Sequence, residues 1–198
     1  MLCYNNANTL CHHEYVLPTV LQQLRGVKRV LDIGCGNGSA DKFLADCGFE
    51  VTAIDNSETG IAVAQRAFPN IRFAVANCYD NLATTFGTFP AIISLEVIEH
   101  LYSPREFIRR AHETLTPDGR LILSTPYNGY LKNVALALTN RFDRHHDPLW
   151  DHGHIKFWSM ATLQRLLHEE GFYAIKFYRV GRIPPFAKSM IAVAKRRA

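Results

Sequence analysis

The chain has 198 residues, 47% of them hydrophobic and 20% charged, with a formal net charge of +4, enough apolar material for one domain and short for two. The basic excess sits largely in a closing Lys195-Arg196-Arg197 tail and no basic stripe is interleaved with aromatics, which excludes a nucleic-acid partner. Five cysteines (Cys3, Cys11, Cys35, Cys47, Cys78) without a C-x-x-C pair exclude a disulfide frame or structural zinc, and with no signal peptide and no apolar run near the ~20 residues of a membrane span the expectation is a cytoplasmic protein.

Residues 1–13 are polar and irregular and carry no assignable role. From Glu14 to Arg25, the residues Tyr15, Val16, Val20, Leu21 and Leu24 recur at helical spacing, with Pro18 tolerable in the first turn; packing on a sheet edge is the plain reading of this helix, and the sequence does not choose between it and a lid. Val30 to Ile33 is a buried strand that ends in three glycines at alternate positions, Gly34, Gly36 and Gly38. Ala40, Phe43, Leu44 and Cys47 then return at helical spacing. Strand, glycine turn and helix open a nucleotide-type βαβ unit, in which glycine lets a ligand approach the backbone.

The glycine spacing separates two cofactors. The dinucleotide fingerprint G-x-G-x-x-G needs glycine where this chain has Ser39, which argues against an NAD-dependent enzyme. G-x-G-x-G preceded by Asp32 resembles instead the first motif of class I S-adenosylmethionine-dependent methyltransferases. The next strand, Glu50 to Ile54, ends at Asp55, where a carboxylate can accept from both hydroxyls of a ribose or stand at the N-terminus of a helix that Ser57 caps over residues 58–68.

Ile71 to Val75 is a third strand, running into Asn77 and Cys78. In the family the Asn77 position usually holds an acid; the amide oxygen can still pair with an adenine edge, the Cys78 N–H can meet the ring, and Asp80 is a possible substitute for the missing acid. Phe89 to Leu95 is the fourth strand, with Pro90 tolerated at its start. The run Glu96-Val97-Ile98-Glu99-His100-Leu101 follows, then a helix from Pro104 with Phe107, Ile108, Ala111 and Leu115 on one face, a turn at 116–119 and a fifth strand at Arg120 to Thr125. E-V-I-E-H-L followed by L-T-P-D-G-R-L-I-L-S-T-P resembles the ubiquinone-biosynthesis O-methyltransferases and their small-molecule relatives, best over residues 28–126.

That resemblance implies S-adenosyl-L-methionine as cofactor, held by Asp32, Gly34, Cys35, Gly36, Gly38, Asp55, Asn56, Asn77, Cys78, Leu95 and Glu96, and a leading helix over 14–25 that closes as a lid. It also implies a Rossmann-like α/β fold, a seven-stranded mostly parallel sheet with helices on both faces and an antiparallel last strand, over a single domain of residues 1–198. Residues 126–153 interrupt the alternation after the fifth strand, at the sheet edge where open α/β folds bind ligands, and read as a substrate cover. Within it Leu131, Val134, Ala135, Leu136 and Leu138 precede Arg141, Arg144, His145 and His146. This suits an apolar or aromatic small-molecule acceptor and peripheral contact with a lipid surface, without membrane insertion; alternatively the aliphatics only pack the cover onto the domain. A helix with Leu163, Leu166 and Leu167 inside, ended by Gly171, a sixth strand at 172–180, a return through Gly181, Pro184 and Pro185, and a seventh strand at 189–195 complete the chain.

If the acceptor is a hydroxyl, His100 and His154 are the candidate bases, or ordinary hydrogen-bonded histidines. Glu96, Glu99 and His100, at i, i+3 and i+4, share a face if they are helical and can hold a divalent ion for a metal-assisted O-methyltransferase; the preferred reading places Glu96 on the cofactor's methionine portion and assigns no metal. A cofactor-binding relative without transferase activity remains the other function class.

Overall fold

The computed structural model describes residues 4–184 and 186–197; Cys3 and Pro185 lie outside the described residues. Seven strands form one sheet: β1 (Arg29–Ile33), β2 (Glu50–Asp55), β3 (Arg72–Val75), β4 (Phe89–Leu95), β5 (Leu115–Pro126), β6 (Phe172–Val180) and β7 (Ser189–Arg196), in the order β3-β2-β1-β4-β5-β7-β6. The pairs from β3 through β5 are parallel, while β7 runs antiparallel to both β5 and β6. This is the expected Rossmann-like arrangement. Its switch point lies between β1 and β4, where the chain reverses direction across the sheet and an open α/β fold places its ligand.

Alternation within the strands builds two cores. Leu31, Ile33, Ile92, Leu121 and Leu123 face one side, under α5 (Pro104–Thr114) and α8 (Met160–Glu169). Val30, Ile93, Ile122 and Ile191 face the other, under α1 (His13–Gln23), α2 (Ser39–Asp46) and α3 (Glu58–Ala67). The central strands are buried on both faces, so they read as continuous apolar runs. Full burial of each such side chain contributes about 1.5–3 kcal/mol.

Four local features differ from expectation. Pro18 lies in the second turn of α1, not the first, and is exposed there; the inner face of the helix is carried by Val16, Leu17 and Val20. A five-residue helix, α4 (Leu82–Phe86), precedes β4; Asn81 caps it by accepting from Thr84 N, and Leu82 is its one buried residue. Residues 116–119 do not separate α5 from β5 but form an excursion inside β5: Leu115 pairs with Phe89, and Arg120 already pairs with Ala91. Asp118 takes the left-handed conformation there, φ 59°, and its carboxylate accepts from the Tyr173 hydroxyl at 2.8 Å. Last, the segment after β5 contains α6 (Tyr130–Leu138) and α7 (Phe142–His145), neither with a buried residue. Leu131 and Leu138 are 53% and 82% exposed, so these two do not pack the cover onto the domain.

Candidate functional site

The glycine turn is fastened to the end of β2. Gly34 N and Cys35 N both donate to Ile54 O, at 2.8 and 3.0 Å, and the Asp55 carboxylate receives Gly36 N on Oδ2 and Ser57 N on Oδ1, each at 2.8 Å. Asp55 is therefore both the strand-end acid and the post that holds the turn open. Ser57 caps α3 as expected, accepting from Gly60 N, and Asn56 is exposed beside the carboxylate. Gly34 (φ 92°) and Gly36 (φ 56°) need glycine for conformation and for space. A Cβ on Gly34 would strike Val97, so the turn and the segment after β4 are in contact, and one on Gly36 would meet the Tyr4 ring, not open solvent.

Under the turn lies a buried acid pair. Asp32 and Asp41, the latter in the first turn of α2, are 2% and 0% exposed. As carboxylates, Asp32 Oδ1 and both Asp41 oxygens have no partner among the described residues; a proton held by Asp41 and shared with Asp32 supplies one. Burial raises both acids, Asp32 to about 7 and Asp41 well above the ordinary range. The motif read Asp32 and missed Asp41, which only the turn of α2 brings alongside. Burial, followed by Asp41, Asp32 and Asp55, pushes the Cys35 thiol far up, so it is an inert wall.

After β3, Asn77 is exposed and its amide oxygen already accepts from Tyr79 N at 3.1 Å, while its own N–H donates to Asp80 Oδ2 at 2.9 Å. Both side chains are thus spent on one turn, and what Asn77 offers outward is its NH2 group. Cys78 N has no carbonyl acceptor among the described residues.

At the end of β4 the helical reading of E-x-x-E-H is corrected. Leu95 closes the strand, and Glu96 N donates to Ser124 O (3.1 Å) and Ser124 Oγ (3.0 Å), whose hydroxyl returns a bond to Glu96 Oε1 at 2.8 Å. Held from β5, Glu96 bends into the left-handed region, φ 56°, and only Ile98–His100 form a single 3-10 turn. Such a conformation in a non-glycine residue marks a constrained site. Glu96 is raised by burial and lowered by the Ser124 and Ser189 hydroxyls and by Lys132 of α6.

Glu99 joins different partners from those expected. Its carbonyl accepts from Ile155 N and Lys156 N, both at 2.9 Å, which draws His154 over it. Ligand atoms of Glu99, His100 and His154 lie within 4.8 Å of one another, with His154 where the spacing suggested Glu96. Glu99 is 1% exposed and, among the described residues, neither carboxylate oxygen makes a hydrogen bond, His154 Nε2 lying 4.0 Å from Oε1; burial, then Glu96, pushes it well above the usual range. His100 Nδ1 lies 3.0 and 3.1 Å from the carbonyls of His152 and Gly153, and since carbonyls only accept, it carries the proton and leaves Nε2 free. Burial, then His100, His145 and His146, lowers His154 to about 4. The two candidate histidines lie side by side, ring centroids 4.9 Å apart, and Trp150, in the segment after β5, stands 5.0 Å from His154.

A family model described as a methyltransferase domain matches residues 12–176. The chain belongs to the methyltransferase domain family. The cofactor that goes with this membership is S-adenosyl-L-methionine. A ubiquinone biosynthesis O-methyltransferase of Caulobacter sp. (strain K31) is 39% identical over 55% of this chain and 44% of its own. One of Azorhizobium caulinodans is 33% identical over 77% and 61%. The chain thus spans about half the length of the curated relatives it matches. Among solved structures, a Pyrococcus horikoshii protein superposes with TM-score 0.76 at 20% identity over 98% of this chain and 95% of that one. The magnesium protoporphyrin IX methyltransferase of Synechocystis gives 0.67 at 24% over 91% and 80%; these two share the fold.

Proposed function

We propose that the chain transfers the methyl group of S-adenosyl-L-methionine to a hydroxyl of a small apolar or aromatic acceptor. The observation that carries the reading is the Asp55 carboxylate locking Gly36 N–H at the switch point, with the paired histidines beyond β4 on the same sheet edge. Asp55 takes the ribose, Asn77 and Cys78 N–H the base, and the turn from Gly34 to Gly38 the methionine portion. The acceptor oxygen attacks the methyl carbon in line, the C–S bond breaks with its electron pair left on sulfur, and the acceptor proton passes to an imidazole Nε2 of His100 or to His154. Alignment supplies roughly 7–11 kcal/mol of such a barrier and a positioned base roughly 10²–10⁴-fold in rate. The hydroxyl acceptor is supported by the curated relatives, which are O-methyltransferases by name. Its apolar character is supported by the exposed Tyr130, Leu131 and Leu138 of α6. Radiolabelled S-adenosyl-L-methionine offered with catechols, hydroxybenzoates, sugars and acids tests this. Label should enter a phenolic acceptor and fall in His100→Ala and His154→Ala; tight binding of S-adenosylhomocysteine with no transfer to any acceptor would make the chain a binding relative.

One observation favours a metal-assisted version. A buried carboxylate without hydrogen bonds beside two imidazoles is a donor set that suits Zn²⁺ or Mn²⁺ better than Mg²⁺, and the carbonyl-bound Nδ1–H of His100 is the outer support that a ligating imidazole usually has. Glu99, His100 and His154 would hold the ion, which would lower the pKa of an acceptor hydroxyl. Chelator treatment that leaves transfer unchanged would dismiss it.

A further inference from the structure

Residues ahead of α1 reach the cofactor cradle. A Cβ on Gly36 would stand 2.7 Å from the Tyr4 hydroxyl and 2.9 Å from its Cζ, and one on Gly60, in α3, 2.9 Å from Tyr4 Cδ2. The phenol is wedged between the glycine turn and α3. Burial, then the Asp55 carboxylate and Cys35, pushes it up to about 12, so it stays protonated and able to donate. Among the described residues its hydroxyl has no hydrogen-bond partner.

The segment is clasped in place. Asn37, 2% exposed, spends its Nδ2 protons on the carbonyls of Asn6 and Asn8, at 3.0 and 2.9 Å. Its Oδ1 accepts from Ser39 N at 3.2 Å and Ser39 Oγ at 2.9 Å, which fixes the amide within the turn. The second variable position of G-x-G-x-G thus ties the N-terminal strap to the turn.

We propose that Tyr4 is a cofactor-binding residue, carried by a strap of residues 4–8 that Asn37 clasps, whose hydroxyl meets the ribose of S-adenosyl-L-methionine opposite Asp55. The proposal rests on the cofactor reading above. A ribose diol both donates and accepts, whereas Asp55 only accepts; a protonated phenol on the other side supplies the missing donor, and its ring keeps water from the pair.

The test is calorimetry on the full chain with S-adenosylhomocysteine and its 2′,3′-dideoxy analogue. Tyr4→Phe should weaken S-adenosylhomocysteine about 3–10-fold, the size of one neutral hydrogen bond, and leave the analogue unchanged, with the unliganded melting temperature unmoved. Tyr4→Ala should lose more and release ligand faster. Asn37→Asp keeps the acceptor for Ser39 but not the clasp; its loss should not add to that of Tyr4→Ala. The proposal is overturned if Tyr4→Phe costs both ligands equally, or if Tyr4→Ala binds as tightly or more tightly, which would make the ring a plug. Wild-type protein that binds no S-adenosylhomocysteine would overturn the cofactor reading itself.

Discussion

Single residues here hold two tasks at once, and their substitution should show both. Asp55 bonds Gly36 N and Ser57 N, so Asp55→Ala strips partners from two N–H groups and, on the proposed function, from the ribose. Calorimetry should find S-adenosylhomocysteine weakened by ~1–3 kcal/mol, and urea unfolding should find a loss of similar order; affinity equal to wild type removes Asp55 from the ribose. The Asp32–Asp41 pair makes a pH prediction. Both acids are raised in the folded state, Asp32 from 3.8 to about 7. Between the ordinary carboxylate range and about 7 the native protein therefore binds more protons than the unfolded chain, so stability falls as pH rises through that window. Asp41→Asn cannot share a titrating proton and should flatten the profile, gaining on wild type above about pH 7 by on the order of a few kcal/mol. Denaturant unfolding at pH 5 and pH 8 reads this, and a wild-type profile already flat across the window would sink the shared proton.

At the scale of elements, legibility followed how local the cause was. β4 is readable to the residue because Phe89 to Leu95 is an apolar run buried on both faces and stopped by Glu96. α4 was invisible because one buried leucine in five residues leaves no period to detect. The bend at Glu96 could not be read because its cause, Ser124, lies 28 residues away, and for the same reason the helical E-x-x-E-H reading failed while its residues stayed at the site. Likewise the clasp at Asn37 has no local signal, because its partners, the carbonyls of Asn6 and Asn8, lie 31 and 29 residues earlier. The cover yields the prediction at this scale. α6 and α7 contribute no buried residue, so replacing 130–146 with a short Gly-Ser link should abolish transfer and leave S-adenosylhomocysteine affinity nearly unchanged. Collapse of cofactor affinity together with the melting transition would show the segment to be core.

For the whole molecule, the sheet divides the labour along one edge. On the proposed function, the cofactor side is built by β1, β2, β3, α2 and α3 around the core that contains Val30, Ala53, Ile61 and Ala64. On the same reading the acceptor side is built by β4, β5 and the segments that follow them, and among the described residues no helix is long and apolar enough to cross a membrane. The two sides meet where Val97 abuts Gly34. Ligand binding on one side should therefore stabilise the whole cooperative unit without help from the cover. At 100 times its dissociation constant S-adenosylhomocysteine adds about 2.7 kcal/mol if it binds only the native state. For a chain of this size that corresponds to a rise in melting temperature of roughly 5–10 °C. The same rise should appear in the cover-deleted protein and shrink in Asp55→Ala at equal ligand concentration. Calorimetric melts of the three proteins check it. A rise that vanishes on deleting the cover would mean that the acceptor side helps hold the cofactor, and the division at Val97 and Gly34 would be wrong.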